Sequence, residues 1–300
     1  MTVGFSEAAV GRAEVPATET FNGTAWTLRH PPKVGDNGEL SGASCRSADD
    51  CTVVGASINR GGNRYTPTAE HWDGHAWRIE PTVSPPGGGS LLSVSCPTSS
   101  TCIAVGETDD GTVFTERWHS GGVRWSILGA PAPGGIAELS DVSCSSFDRC
   151  VAVGFAGDTA LPERAVNVAD SYNGQSWTAD AIPTNTDGGV NGVSCPTAGY
   201  CMAVGDALGP NGFVPDSYVL RGTIWSAQPV PNSDGTTASS GLASVSCTAV
   251  ALCVAVGSQT RTSGNASSTI LTAKGLDGRG WTPQTIQQPA LPQAEFAGVS

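Results

Sequence analysis

Ten cysteines stand in five pairs, and they are the first chemistry this sequence offers. The pairs are Cys45 and Cys51, Cys96 and Cys102, Cys144 and Cys150, Cys195 and Cys201, and Cys247 and Cys253, each six positions apart. "LSVSCPTSSTCIAVG", residues 92–106, shows their setting: an alternating strand ending in Cys, a short turn, then an apolar strand ending in Gly. Two antiparallel strands joined in this way bring their Cβ atoms within disulfide reach. Metal binding is the rival reading. The spacing is not C-x2-C, only four histidines exist, and the pairs fall in different repeats, so it is set aside. Local disulfides are expected, each contributing about 2 kcal/mol through chain entropy, with free thiols in a reducing compartment as the alternative.

Three carboxylates are the second chemistry. Asp141 lies two residues before the serine of its strand, where the other copies read Gly42, Ser93, Gly192, Ser244 and Gly298. Glu107 and Asp206 follow the glycine of the second strand, where the other copies read Phe5, Ala56, Phe155 and Ser258. Burying a lone charge is costly, so a carboxylate that breaks a repeat must be solvated, paired or bound. Glu107 and Asp141, on neighbouring repeats, could approach one another. Such a pair could take a cation or a sugar, or act in acid–base chemistry. A solvated carboxylate at a channel mouth is the plain alternative. Asp141, Glu107 and Asp206 are therefore the candidate ligand-binding residues, and no residue is assigned a catalytic or metal-binding role. There is no G-x-S-x-G, H-E-x-x-H or phosphate loop. Tyr65, Tyr172, Tyr200 and Tyr218 occupy unrelated phases of the repeat, which leaves no tyrosine nucleophile ringed by arginines.

A repeat must position these groups. The first cysteines recur every 48–52 residues, and Trp26, Trp77, Trp125, Trp177, Trp225 and Trp281 run in step, each with a glycine three residues earlier. Each unit reads as four short strands. The Asn-Gly and Asp-Gly pairs at 22–23, 73–74, 173–174 and 277–278 predict tight hairpin turns with positive φ at both central residues. Repeated four-stranded units predict an all-β, six-bladed β-propeller with four antiparallel strands per blade, as one domain over residues 1–300. The last residues, "EFAGVS", read as a sixth first strand, and "TVGF" at the start reads as the end of a second strand. Pairing of residues 296–300 with 2–5 would close the ring and remove its free edges; a fragment of a longer array is the alternative. The six tryptophans read as core between blades. Phe21, Trp72, Trp118 and Tyr172 near the same turn read as packing rather than glycan stacking.

With "AVG", then "YNG", then "W" in these places, the layout resembles kelch-type propellers, although the kelch double glycine is absent at Val105-Gly106 and Val204-Gly205. It is more similar to the cysteine-bearing "VSCP…CxAVG" repeats of proteins secreted by actinobacteria. That resemblance implies a propeller and says little about activity.

Composition narrows the function. The net charge is −12, with Lys33 and Lys274 the only lysines and no basic cluster, which argues against nucleic acid and anionic membrane partners. No 18-residue apolar run exists, so no membrane insertion is expected. Arg over Lys and abundant Ala and Gly are the style of a GC-rich bacterial genome. Disulfides call for an oxidising compartment, whereas residues 1–15 carry no secretion signal. The expectation is an extracellular or cell-surface protein trimmed from a longer exported precursor. The reading is a secreted, non-catalytic propeller that binds a protein or carbohydrate ligand through its loop face and needs no cofactor. The alternatives are a glycan-active hydrolase or lyase with an axial carboxylate site, and a structural repeat segment of a larger surface protein.

Overall fold

The apolar run before each repeat's glycine is too continuous to face water on either side. In the computed structural model these runs form the second strand of each sheet, and Val53, Ile103, Ala152 and Val204 within them are wholly inaccessible. The structure describes residues 1–7, 14–32, 34, 35, 37–58, 62, 64–121, 124–131, 136–158, 161–183, 187–231, 239–263 and 266–288.

The first sheet is β1 (Thr2–Glu7), β2 (Glu14–Phe21) and β3 (Trp26–Arg29). The second is β4 (Asn37–Ser47), β5 (Asp50–Ile58), β6 (Thr66–Trp72) and β7 (Trp77–Glu80). The third is β8 (Gly89–Thr98), β9 (Thr101–Thr108), β10 (Val113–His119) and β11 (Ser126–Leu128). The fourth is β12 (Ile136–Ser146), β13 (Arg149–Asp158), β14 (Leu161–Tyr172) and β15 (Trp177–Ala179). The fifth is β16 (Gly188–Thr197), β17 (Tyr200–Gly209), β18 (Gly212–Arg221) and β19 (Ile224–Ala227). The sixth is β20 (Ser239–Ala249), β21 (Leu252–Ser263), β22 (Ala266–Asp277) and β23 (Trp281–Pro283). All are antiparallel meanders in chain order, five of four strands and the first of three. The missing inner strand of the first sheet is where the sequence places residues 296–300, which lie outside the described residues.

The first strands gather at one axis. Gly42, Ser93, Asp141, Asn191 and Ser244, from the first strands of the second to sixth sheets, line with Val3 of β1 a central cavity of about 620 Å3. Successive sheets pack face to face. Val54 joins Leu91, Ala104, Phe114 and Trp125 between the second and third sheets. Ile103 joins Leu139, Ala152 and Trp177 between the third and fourth. Equivalent clusters hold the fourth to the fifth and the fifth to the sixth.

Three repeated residues find their causes here. Each described first strand carries a bulge, as between Leu91 and Ser93, and the bulge turns a carbonyl onto the second strand. A Cβ at Gly55, Gly106, Gly154, Gly205 or Gly257 would lie 1.9–2.1 Å from that oxygen, so only glycine fits. The serine before each first cysteine is an inter-sheet latch. Ser44, Ser95, Ser143 and Ser194 each accept, through Oγ, the backbone N–H of Cys96, Cys144, Cys195 and Cys247 on the next sheet, at 2.9–3.0 Å. The cysteines form the five expected bonds, with Cα atoms 3.9–4.1 Å apart.

The turn expectation is corrected. Phe21 pairs with Trp26, Trp72 with Trp77 and Tyr172 with Trp177, which leaves four-residue loops. In each of these loops only the glycine has positive φ. The preceding Asn or Asp instead caps the loop: Asn22 Oδ1 accepts from Thr24 N and Ala25 N, and Asp73 and Asn173 do the same. The side-chain acceptor replaces the second left-handed residue.

Four of the six tryptophans are core, with Trp125, Trp177, Trp225 and Trp281 at most 6% exposed. Trp125 donates Nε1–H to Glu80, the last residue of β7, and Trp225 to Asp180, just after β15, each on the preceding sheet. At the same register the preceding sheets carry Arg29 and Leu128, whose side chains cannot accept, and among the described residues the Nε1 atoms of Trp77 and Trp177 have no hydrogen-bond partner. Trp26 departs from the expectation at 53% exposed. The joint after the second sheet meets Trp125 through Pro81 O. The corresponding joint for Trp26 follows β23 and runs beyond residue 288, outside the described residues. The extra aromatics pack: Phe21, Trp72 and Tyr172 lie 5.1–5.5 Å from their tryptophans in tilted pairs.

Candidate functional site

Asp141, Glu107 and Asp206 do not meet in one cavity. Asp141 lines the axial cavity, and its carboxylate is fully engaged. Oδ1 accepts from Ser93 Oγ at 2.5 Å and from its neighbour Val142 N at 2.8 Å, and Oδ2 accepts from Val193 N at 2.8 Å. It therefore ties the third, fourth and fifth sheets together. Ser93, at the same register, makes the analogous contact with Val142 N. Where the position is glycine the strands approach too closely for any side chain: a Cβ on Gly42 or Gly192 would lie 2.8–2.9 Å from the next strand's Cα. Burial raises the Asp141 carboxyl to about 6, against the pull of its three donors. Asp141→Ala strands the Val193 N–H and the Ser93 hydroxyl, and is expected to cost about 1–3 kcal/mol in denaturant unfolding. An unchanged midpoint would contradict the latch.

Asp206 is also engaged, within its own sheet, where it orients the side chain that does bridge. Asn191, the bulge residue of β16, donates to Asp206 Oδ2 at 3.1 Å and to Leu242 O of the sixth sheet at 3.0 Å. Burial is the main cause of the raised Asp206 carboxyl, and Asp216 adds to it.

Glu107 differs. It lines an open cleft of about 480 Å3 on the variable-loop face, with Tyr65, Ser90, Asp109, Gly111 and Ile136. Its carboxylate has no hydrogen-bond partner among the described residues. Burial raises it first, then the charges of Glu138 and Asp109. The cleft walls are braced. Asp109 Oδ2 accepts from Tyr65 N at 3.0 Å, and Thr108 holds the turn through Asp110 and Thr112. Tyr65 and Ile136 are about half exposed on either side.

Sequence reasoning missed a ring of buried ionisable groups on the third strands. Glu70, Glu116, Asp170 and Lys274 are at most 2% exposed. The signal was present as an acid at one register of several repeats, Glu70, Glu116 and Asp170, but only the residues bordering the cysteines and glycines were compared between repeats. Among the described residues no group of three His, Cys, Asp or Glu side chains has metal-ligand geometry, and no helix is long and apolar enough to cross a membrane. The five disulfides point to an oxidising environment.

No family model matches the chain, and no curated protein matches it in sequence. Solved structures do match its shape. YCF48 bound to D1 peptide superposes with a TM-score of 0.53 at 14% identity, over 91% of this chain and 75% of that one. The GH74 xyloglucanase of Xanthomonas campestris gives 0.51 at 14% identity, over 82% of this chain and 38% of that one. The fungal Aleuria aurantia lectin, described as a six-bladed β-propeller, gives 0.49 at 10% identity, over 92% and 88%. At these identities the likeness is one of fold, and with six antiparallel sheets around one axis the chain is a β-propeller.

Proposed function

We propose that this chain is a secreted, non-catalytic β-propeller that binds a protein or a glycan through its variable-loop face, with Glu107 at the centre of the site. The observation that carries this reading is the contrast among the three carboxylates. Asp141 holds sheets together and Asp206 fixes the bridging Asn191, whereas Glu107 stands without a hydrogen-bond partner among the described residues in an open cleft lined by exposed Tyr65 and Ile136. Loops on a rigid frame are where such folds place recognition. Hydrolysis of a glycan needs two carboxylates working on one bond. Asp141 and Glu107 line separate cavities, and Asp109 and Asp110, which share the Glu107 cleft, are tied to Tyr65 N and Thr108 Oγ1, which favours binding over catalysis. The peptide carried by YCF48 in its solved complex accords with a binding role for this fold. The kelch-type and cysteine-repeat likenesses rest on the sequence motifs. Export of the chain accounts for the five disulfides.

The test is a peptide- and glycan-array screen of the oxidised protein beside Glu107→Gln. Loop-face hits should weaken about tenfold or more in the variant, at an unchanged melting temperature. A screen in which no hit weakens in the variant places the ligand elsewhere and overturns the reading.

A further inference from the structure

Two grooves open between sheets at the cysteine end of the strands, at equivalent places in the repeat. The groove between the fourth and fifth sheets encloses about 240 Å3. The one between the second and third encloses about 670 Å3, within the roughly 300–1,000 Å3 usual for small-molecule sites. Equivalent positions supply an internal comparison. The larger groove is lined by Arg46, Asp50, His71, Arg78, Glu80 and Trp118. The smaller carries Ser145, Arg149, Ser171, Thr178, Asp180 and Leu220 in those places. Between the fifth and sixth sheets the same registers read Pro196, Tyr200, Val219, Ser226, Gln228 and Leu276. At the registers of Arg46, His71 and Arg78 the frame thus folds with uncharged residues in both comparisons (Ser145, Ser171 and Thr178; Pro196, Val219 and Ser226), and packing does not require the cations gathered in one groove.

Their arrangement is balanced. Arg46 pairs with Asp50, and Asp50 Oδ1 stands 3.9 Å from His71 Nε2. His71 Nδ1 lies 3.3 Å from Thr52 Oγ1. Arg78 Nη2 donates to Asp73 Oδ2 at 2.7 Å. Glu80 uses Oε2 to accept from Trp125 Nε1 at 3.1 Å. Trp118 packs partly against the apolar cluster beneath and lines the groove.

We propose that this groove is a binding site for a neutral saccharide. Each guanidinium already has a carboxylate beside it, so an anionic ligand meets Asp50 and Glu80 and a cationic one meets Arg46 and Arg78. A sugar hydroxyl both donates and accepts. Adjacent hydroxyls therefore use the remaining guanidinium N–H groups and the remaining carboxylate lone pairs together. An indole wall suits the C–H face of a pyranose. The groove lies at the opposite end of the strands from Glu107, so the inference is independent of the loop-face reading.

The triple variant Arg46→Ser, Arg78→Ser, Trp118→Leu tests it with residues that other repeats already carry at these registers: Ser145, Ser226 and Leu220. The probes are the methyl glycosides of glucose, galactose, mannose and fucose, followed by saturation-transfer NMR and titration of the oxidised protein. At least one neutral glycoside is expected to bind the wild type and Glu107→Gln alike, and to bind the triple variant about tenfold more weakly or worse. If the triple variant does not fold, Trp118→Leu alone carries the same reading. The inference is overturned if no neutral glycoside binds, if only uronic or sulfated sugars do, or if the groove variant binds as the wild type does. Saccharide binding lost in Glu107→Gln but kept in the groove variant would also overturn it, and would leave the loop-face reading standing.

Discussion

Reducing all five disulfides under otherwise native conditions is expected to unfold this protein near 37 °C. Each bond closes a short hairpin and contributes about 2 kcal/mol in the chain-entropy account. The five closed loops do not overlap along the chain, so in the chain-entropy account their contributions sum. Their total of roughly 10 kcal/mol matches the whole net stability of a typical domain, about 5–15 kcal/mol. Burial adds to the effect. Cys51, Cys150, Cys201 and Cys253 are at most 3% exposed, and Cys144, Cys195 and Cys247, the bonded partners of the last three, donate their N–H to the serine latch of the preceding sheet. A single pair replaced by alanine, such as Cys96→Ala with Cys102→Ala, should lose only about 2 kcal/mol and remain folded. Urea unfolding with and without a phosphine reductant, with full reduction checked by mass, measures both. A reduced protein that melts within a few degrees of the oxidised one would refute the assignment of stability to these bonds.

The pattern that predicted those bonds also predicted the sheets, and for one physical reason. A sixfold repeat makes every packing requirement appear several times. Cys, Gly and Trp at fixed phase therefore report turn, bulge and inter-sheet contact even where their purpose is unread. The turn at Asn22 was misread because Asn-Gly also serves a longer loop, in which the Asn side chain replaces a backbone conformation. Asp141 drew attention as a broken repeat. Its role is nevertheless an extension of the repeat, since it performs with a carboxylate what Ser93 performs with a hydroxyl. Contacts that depend on which residue of the next sheet stands opposite leave no trace in the order of residues along one strand. The groove lined by Arg46, His71 and Trp118 brings together side chains from positions 46 to 118, and no local motif announces it.

The same inter-sheet geometry sets an unusual pH response. Glu70, Glu116, Asp170, Tyr218 and Lys274 occupy one register of their third strands, opposite Val53, Ala104, Ala152, Ala203 and Ala255. Two of these side chains reach the joint from the preceding sheet: Glu116 Oε1 accepts from Val83 N at 2.7 Å, and Lys274 Nζ donates to Pro231 O at 3.1 Å. Among the described residues neither oxygen of Glu70 or of Asp170 has a hydrogen-bond partner. Burial raises Glu70 to about 8, and raises Glu116 and Asp170 to about 7, with the charge of Asp180 adding to Asp170. A carboxyl whose pKa is higher folded than unfolded binds more protons in the folded state. Stability is then greatest near and below the ordinary carboxyl pKa and falls as pH rises through the folded value. For these three groups the fall runs from about pH 4 to 8, the reverse of a paired surface carboxylate, and is on the order of 3–5 kcal/mol per group. Urea unfolding should therefore give a markedly higher midpoint at pH 5 than at pH 8.5. Glu70→Gln removes one titration without changing shape, so its midpoint should depend less on pH and should exceed that of the wild type at pH 8.5 but not at pH 5. A wild type whose stability is flat or rising between those values, or a variant with the wild-type slope, would show that these carboxyls are ionised without penalty.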